Sequence, residues 1–143
     1  MRLGFLFTVL FWVAQVCSAR PTVTWASDPV QPDEVVLAHG GGWTNDARVE
    51  VSIGTGAPVV LTPLEVREQS VKFLLPKNLP TGIYTCRVVS GGEKSEPFEL
   101  NAPDVWWQQG DWGQEASPGG WIALFGKCLG NVSVSLRGPG GEV

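Results

Sequence analysis

Histidine occurs once in this chain, at His39, tyrosine once, at Tyr84, and methionine only as Met1. A histidine-based metal site needs further ligands, and a serine triad needs a nucleophile context such as G-x-S-x-G, which is missing. His39 is therefore read as structural. Charged residues are also scarce, at 17% of 143 positions, below the quarter usual for soluble domains. The formal charge is -4, the wrong sign for holding a phosphate backbone, so nucleic acid is not an expected partner. No window of a dozen residues repeats with helical period between caps. Gly40-Gly41-Gly42 is no phosphate loop, because no Lys-Ser/Thr and no helix follow it. Paired carboxylates occur at Asp33/Glu34, Glu65/Glu68 and Glu96/Glu99, spread through turns and not set across a cleft as glycoside hydrolysis requires. Asp104, Asp111 and Glu115 lack the D-x-D-x-D-G spacing of a calcium loop. The residues present thus carry no catalytic signature, and neither a cofactor nor a metal is expected.

The chain is rich in turn formers and aromatics, with 18 glycines, 11 prolines and seven tryptophans. Its first residues are an address. Arg2 is a short positive region, Leu3 to Val16 an apolar run, and Cys17-Ser18-Ala19 a small-residue cleavage site,. The run is short for a membrane span. Residues 1–19 are read as a secretory signal peptide cut after Ala19, leaving a chain that is secreted, periplasmic or at the cell surface, with no membrane contact. Lipidation of Cys17 is the other reading, weakened by Gln15 and Val16 where small residues belong. Export permits a disulfide, but Cys86 and Cys128 lie in different halves, and two free thiols packed as small hydrophobes is the simpler expectation.

Residues 20–101 read as a complete β module. Val23-Thr24-Trp25 is a short strand closed by Ser27-Asp28-Pro29, and Val35 to His39 forms an apolar run suited to a buried central strand. Arg48 to Ile53 alternates, with Val49, Val51 and Ile53 on one face. Val59 to Val66 and Ser70 to Leu75 follow as strands punctuated by Pro58, Pro63 and Pro76. Pro80 and Gly82 turn the chain into the run Ile83 to Val89, a strand opened by Tyr84, and Pro97 to Leu100 closes the set. About seven short strands with turns between them describe an all-β, Ig-like β-sandwich. Tyr84 stands two residues before Cys86, as in the tyrosine corner of such sandwiches. No cysteine lies between Val35 and His39, so an antibody-type disulfide is ruled out.

The chain then repeats itself. Pro118 to Gly126 lies under Pro32 to Gly40 at an offset of 86 residues, and Val105-Trp106-Trp107 lies under Val23-Thr24-Trp25,. Val132 to Leu136 matches Val49 to Ile53 at an offset of 83. Residues 102–143 therefore read as the start of a second, truncated module of the same kind, with the chain as a fragment. Trp25 and Trp107 share a repeat position, Trp43 matches Leu129 and Trp121 matches Val35, which assigns these tryptophans to cores. Trp106 replaces Thr24, and Trp112 lies in a lengthened loop. Neither is required by the fold, which leaves both as candidates for interdomain packing or for stacking on sugar. Asn131-Val132-Ser133 is a formal glycosylation sequon.

The glycine-bounded strands VVLAHGGGW and WIALFGKCLGN, with LPTGIYTCRVV near the end of the first copy, resemble the IPT/TIG class of Ig-like domains. The resemblance spans Pro21 to Leu100 fully and the rest in part. The joint APDVWWQQGD…SPGGWIALFGK is similar to N-terminal regions of bacterial secreted proteins in which Ig-like modules precede a pectate-lyase-like parallel β-helix. These likenesses imply a non-catalytic accessory or spacer module whose partner is a downstream domain of the same chain. Two alternatives stand beside it: the N-terminal fragment of a β-helix polysaccharide lyase or hydrolase, and a glycan-binding module with polysaccharide as partner.

Overall fold

The computed structural model describes residues 20–135, 137–138 and 141–142; the signal-peptide assignment to residues 1–19 lies outside the described residues. All regular structure in the first copy is extended. Strands β1 (Thr22–Ala26), β2 (Val35–Gly41), β3 (Arg48–Ile53), β4 (Val59–Leu61), β5 (Glu65–Arg67), β6 (Ser70–Leu74), β7 (Tyr84–Ser90), β8 (Glu93–Lys94) and β9 (Phe98–Leu100) form two antiparallel sheets. One has the order β1-β2-β6-β5; the other runs β4-β3-β7, with β8 and β9 both paired to β7. Among the described residues no helix is long and apolar enough to cross a membrane.

Alternation decides what each strand buries. Along β7, Tyr84, Cys86, Val88 and Ser90 turn inward while the residues between them are partly covered,. Val49 and Val51 of β3 and Leu100 of β9 join them from the same sheet, and Val36, Ala38, Val71 and Phe73 meet them from the other. These residues make one core between two sheets, a β-sandwich arrangement. Each fully buried large side chain there contributes roughly 1.5–3 kcal/mol. Tyr84 is fully buried and its hydroxyl donates to the Pro80 carbonyl oxygen at 3.0 Å, which satisfies the one polar atom its ring carries into the core,. Cys86 is buried and unbridged; desolvation pushes its thiol up to about 12, so it packs as a small hydrophobe,. Cys128 is likewise free, and half-buried.

Three expectations about the strands are corrected. Val59 to Val66 is two strands, because Thr62-Pro63-Leu64 carries the chain from the edge of one sheet to the edge of the other. Pro63 lacks the N–H that a continuous ladder would use. The apolar run Val35 to His39 is buried on one face only: Val36 and Ala38 point inward, Val35 and His39 outward. Val132–Ser135 belongs to no strand, although its sequence matches β3, and Leu136 is outside the described residues. β3 is held between β4 and β7, and nothing among the described residues pairs with 132–135 in that way.

The tryptophan assignments change for a different reason. β1 and β2 pair with a register shift between Val23 and Trp25, so Val23 faces Gly40 but Trp25 faces His39. An extra residue in one strand moves every later side chain to the opposite face. Val23 and Ala26 therefore pack on the core, while Thr24 and Trp25 are both exposed. Trp25 is not a core residue, and His39 is its outer-face neighbour. Trp43 is buried as expected, and its indole Nε1 donates to the Arg67 carbonyl at 2.7 Å.

The far end of the sandwich is tied by Asp46. Ser90 Oγ (2.6 Å), the Thr44 hydroxyl and the Gly91 N–H (2.8 Å) all donate to its carboxylate, joining the entry of β3 to the exit of β7. These donors, Ser90 foremost, hold the Asp46 carboxyl down from 3.8 to about 2,. Because the folded-state value is the lower one, the stabilisation is complete above the ordinary aspartate range and is lost as pH falls towards about 2,. Asp46→Asn is expected to flatten the dependence of stability on pH across this acid window and leave its shape near neutrality unchanged. Urea unfolding at a series of pH values measures this; a wild-type slope retained in the variant would show that other carboxylates carry it.

Candidate functional site

The second copy opens with β10 (Asp104–Gly110) and β11 (Ile122–Lys127), an antiparallel pair. It repeats the first hairpin in its backbone as well as its sequence. The register again shifts, between Val105 and Trp107. Gly126 takes the place of Gly40, and at either position a Cβ would lie 1.9 Å from a carbonyl oxygen of the facing strand, Thr22 in one and Asp104 in the other. Only glycine fits there. The turn into each second strand is closed by the same bond, Glu34 N–H to Gln31 O at 3.2 Å and Gly120 N–H to Ser117 O at 2.8 Å. Left-handed backbone recurs at Asp33 and Gly119, with φ of 70° and 79°, and again at Gly42 and Cys128, with φ of 78° and 56°.

The bulge sends Trp106 and Trp107 to the same face, as it does Thr24 and Trp25. Trp107 lies against Phe125 across the ladder, ring centroids 4.9 Å apart, and Trp121, four residues earlier, falls on that face by alternation. Trp107 and Trp121 are about half exposed and Trp106 is 68% exposed, which corrects the core assignment of Trp107 and Trp121. Trp106 Nε1 donates to Asp104 Oδ2 at 2.9 Å. Val105, Trp106, Trp107, Gln108 and Gln114 line an open cleft of about 260 Å³. Trp112 is 74% exposed in the β10–β11 turn, where its N–H donates to the Glu115 carbonyl at 3.1 Å. It does not line this cleft. The two candidate tryptophans are thus parted: Trp106 joins an aromatic face, and Trp112 caps the turn. In that turn the Ser117 hydroxyl and N–H donate to Asp111 and hold its carboxyl below the usual range.

The joint between the copies is built from residues that sequence reasoning passed over. Asn101, directly after β9, has left-handed backbone (φ 64°), which asparagine tolerates better than other non-glycine residues,. Its Oδ1 accepts from Val30 N–H at 2.8 Å, and its Nδ2 donates to Val30 O at 2.8 Å and to Gly82 O at 3.1 Å. Its N–H donates to Asp28 Oδ1 at 2.8 Å. The other oxygen of Asp28 takes Lys127 Nζ, at the end of β11. Side-chain exposure of this pair is 20% for Lys127 and 10% for Asp28. The Asp28 carboxylate raises the Lys127 pKa above its ordinary value, so the ion pair is intact at neutral pH and on the alkaline side is lost only as pH rises through that raised value,. An open cleft of about 310 Å³ lies beside it, lined by Gln31, Gly82, Asn101, Pro103 and Cys128 among others.

Such a cluster bonds main chain from three separate turns and one lysine from the second copy; its chemistry is structural. A motif search could not find it, since Asp28 and Lys127 are 99 residues apart. The one signal was Asn at the end of a strand, where a left-handed turn needs it. Comparison of the chain with protein-family models and with curated proteins returned no match.

Asn101→Gly keeps the backbone and deletes the side-chain bonds, whereas Asn101→Ala loses both. We expect the glycine variant to lose about 2–3 kcal/mol and the alanine variant roughly 1 kcal/mol more, measured by urea denaturation followed by far-UV circular dichroism. Equal losses would mean that the left-handed backbone adds nothing.

Proposed function

We propose that residues 20–101 form a non-catalytic accessory module of the Ig-like, IPT/TIG-type class, at the N-terminus of a secreted multimodular protein, and that it holds the following module in a fixed attitude. The observation that carries this reading is the Asp28 carboxylate, shared between the last residue of the first sandwich and the last residue of β11. A passive tether would have no use for a partly buried ion pair across the joint, because exposed pairs contribute at most about 1 kcal/mol and flexible linkers are polar and Gly/Ser-rich. Support also comes from the tyrosine-corner bond of Tyr84 and from the repetition of the first hairpin in the second. The sorting of polar chemistry agrees: the bonded side-chain clusters at Asp28, Asp46 and Asp111 each fasten turns or strands.

The aromatic face of β10–β11 favours a second reading, glycan recognition. Trp106, Trp107, Trp121 and Phe125 share one face, and the open cleft that Trp106 and Trp107 line along β10 also carries Gln108 and Gln114; aromatic stacking with amide hydrogen bonding is the combination that suits a sugar's apolar face and hydroxyl edge,.

Two experiments separate these roles. Residual dipolar couplings measured for β1–β9 and for β10–β11 are expected to fit one alignment tensor in the wild-type chain and two in Lys127→Met. Independent tensors in the wild type would sink the spacer reading. Titration with soluble polysaccharides is expected to shift tryptophan emission only if the second role holds, and Trp106→Ala/Trp107→Ala would then abolish the shift. A flat titration in the wild type removes the glycan reading and leaves the first untouched.

A further inference from the structure

β2 and β11 occupy the same place in their hairpins, yet their edges differ. β2 is paired on both sides, with β1 and with β6, whereas β11 pairs with β10 alone among the described residues. Antiparallel strands aim successive N–H and C=O groups at alternate neighbours. In β2 and its flanks the even-numbered residues face the β6 side: Gly40 N–H donates to Gln69 O, and Glu34 O accepts from Leu75 N–H, both at 3.0 Å. The odd-numbered Leu37 instead accepts from Ser27 N–H on the β1 side, at 2.9 Å. Carried across the repeat offset, the backbone groups of Ile122 and Leu124 are the ones aimed away from β10. Those two residues also stand where Val36 and Ala38 stand in the first copy. In that copy Val36 and Ala38 are fully buried, opposite Phe73 and Val71 of β6; here Ile122 is 43% exposed and Leu124 only part-covered. The open edge and the uncovered aliphatic face therefore coincide at the same two residues.

We propose that the free edge of β11 is an acceptor for one antiparallel strand of β6 type, supplied by the polypeptide that continues the second sandwich. The assignment rests on reading β10–β11 as the opening hairpin of that sandwich. The repeat specifies the occupant: five residues alternating polar and apolar, as in Ser70–Leu74, with two bulky apolar side chains turned to the face of Ile122 and Leu124. In the first copy β2 ends at Gly41 and β6 starts at Ser70. A strand joined to β11 by the same route therefore needs a connection of comparable length. The opposite, aromatic face is no part of this site, because its first-copy equivalent, around Trp25 and His39, is solvent-exposed although β6 is in place.

The test appends the sequence of Glu68–Lys77 to Val143 of the full chain through a Gly/Ser linker of about 30 residues, which gives an effective concentration in the millimolar range. Amide hydrogen exchange is then read by NMR. In the unextended chain, the amides of Ile122 and Leu124 are expected to exchange at least about tenfold faster than those of Ala123 and Phe125, which bond to β10. In the extended chain they are expected to slow at least about tenfold, with Val36 and Ala38 unchanged. A second extension carrying Val71→Asp and Phe73→Asp in the appended strand leaves the β hairpins themselves untouched and is expected to give no slowing. The proposal is overturned if Ile122 and Leu124 are already protected in the monomeric unextended chain, or if the appended strand leaves them unprotected. It is equally overturned if protection rises with protein concentration and sedimentation shows a dimer, since the occupant is then a second copy. Dipolar couplings across the joint do not depend on this edge, so the spacer reading and the edge assignment fail separately.

Discussion

One extra residue in a strand decides which side chains each opening hairpin shows to solvent. The bulge between Val23 and Trp25, and its copy between Val105 and Trp107, changes which face every later side chain occupies,. Without it Trp25 would follow Val23 into the core by simple alternation. With it, Val23 and Ala26 pack inward and the two residues between them point out. The distortion also brings the bulged strand so close to its partner that the facing residue must be glycine, at Gly40 and again at Gly126. Bulge and glycine are one device in two strands. That both recur in the second hairpin, together with the left-handed turn residue and the turn bond, makes the duplication a property of the backbone.

Asp28 does for the joint what the bulge does for the sheets. A carboxylate has two oxygens, and here they serve different copies: one accepts from the Asn101 main chain, the other from Lys127. Lys127 stands where the first copy has Gly41, so the ion pair is an addition of the second copy and not part of the shared fold. With side chains 20% and 10% exposed, it lies between the surface regime, worth about 0–1 kcal/mol, and the buried one, where losing one partner costs about 3–5 kcal/mol. Asn101 supplies the fixed geometry without which the charge pair would be a loose surface contact. Its backbone is held left-handed while its amide bridges Val30 and Gly82.

Much of this was legible in the residues. Clean alternation located β3 and β7, Pro and Gly located the turns, Tyr84 announced its bond to nearby main chain, and the repeat was visible as an offset. The failures have physical causes. Parity across a bulge is invisible to a period-two reading, because the shift follows from backbone register and not from residue type; that misplaced Trp25 and Trp107. Pro63 looked like punctuation inside one strand and proved to be the crossing between sheets. Val132–Ser135 has a strand's sequence without a strand's partners, and sheet structure is a property of pairs. The junction was illegible because Asp28 and Lys127 are brought together only by the complete path of the chain.

The two faces of the second hairpin have different physical requirements, and this bears on what the chain does. Its outer face carries large rings with Gln109 and Asp104, and Trp106 already uses Asp104 to satisfy its indole N–H. Such a surface is stable in water, since aromatic rings with polar partners are at home at boundaries. The inner face carries Val105, Ile122 and Leu124 beside Gln108, with Val105 and Ile122 exposed, and it borders a strand edge whose N–H and C=O groups have no partner among the described residues. Exposed aliphatic surface beside an open edge is the combination that recruits another strand, wanted or not. In the first sandwich the corresponding strand has β6 at its edge and residues of β3 and β7 across the core. Covering the inner face leaves the aromatic face outward, as in the first copy, and it is then the one large apolar surface of the hairpin still open to a ligand.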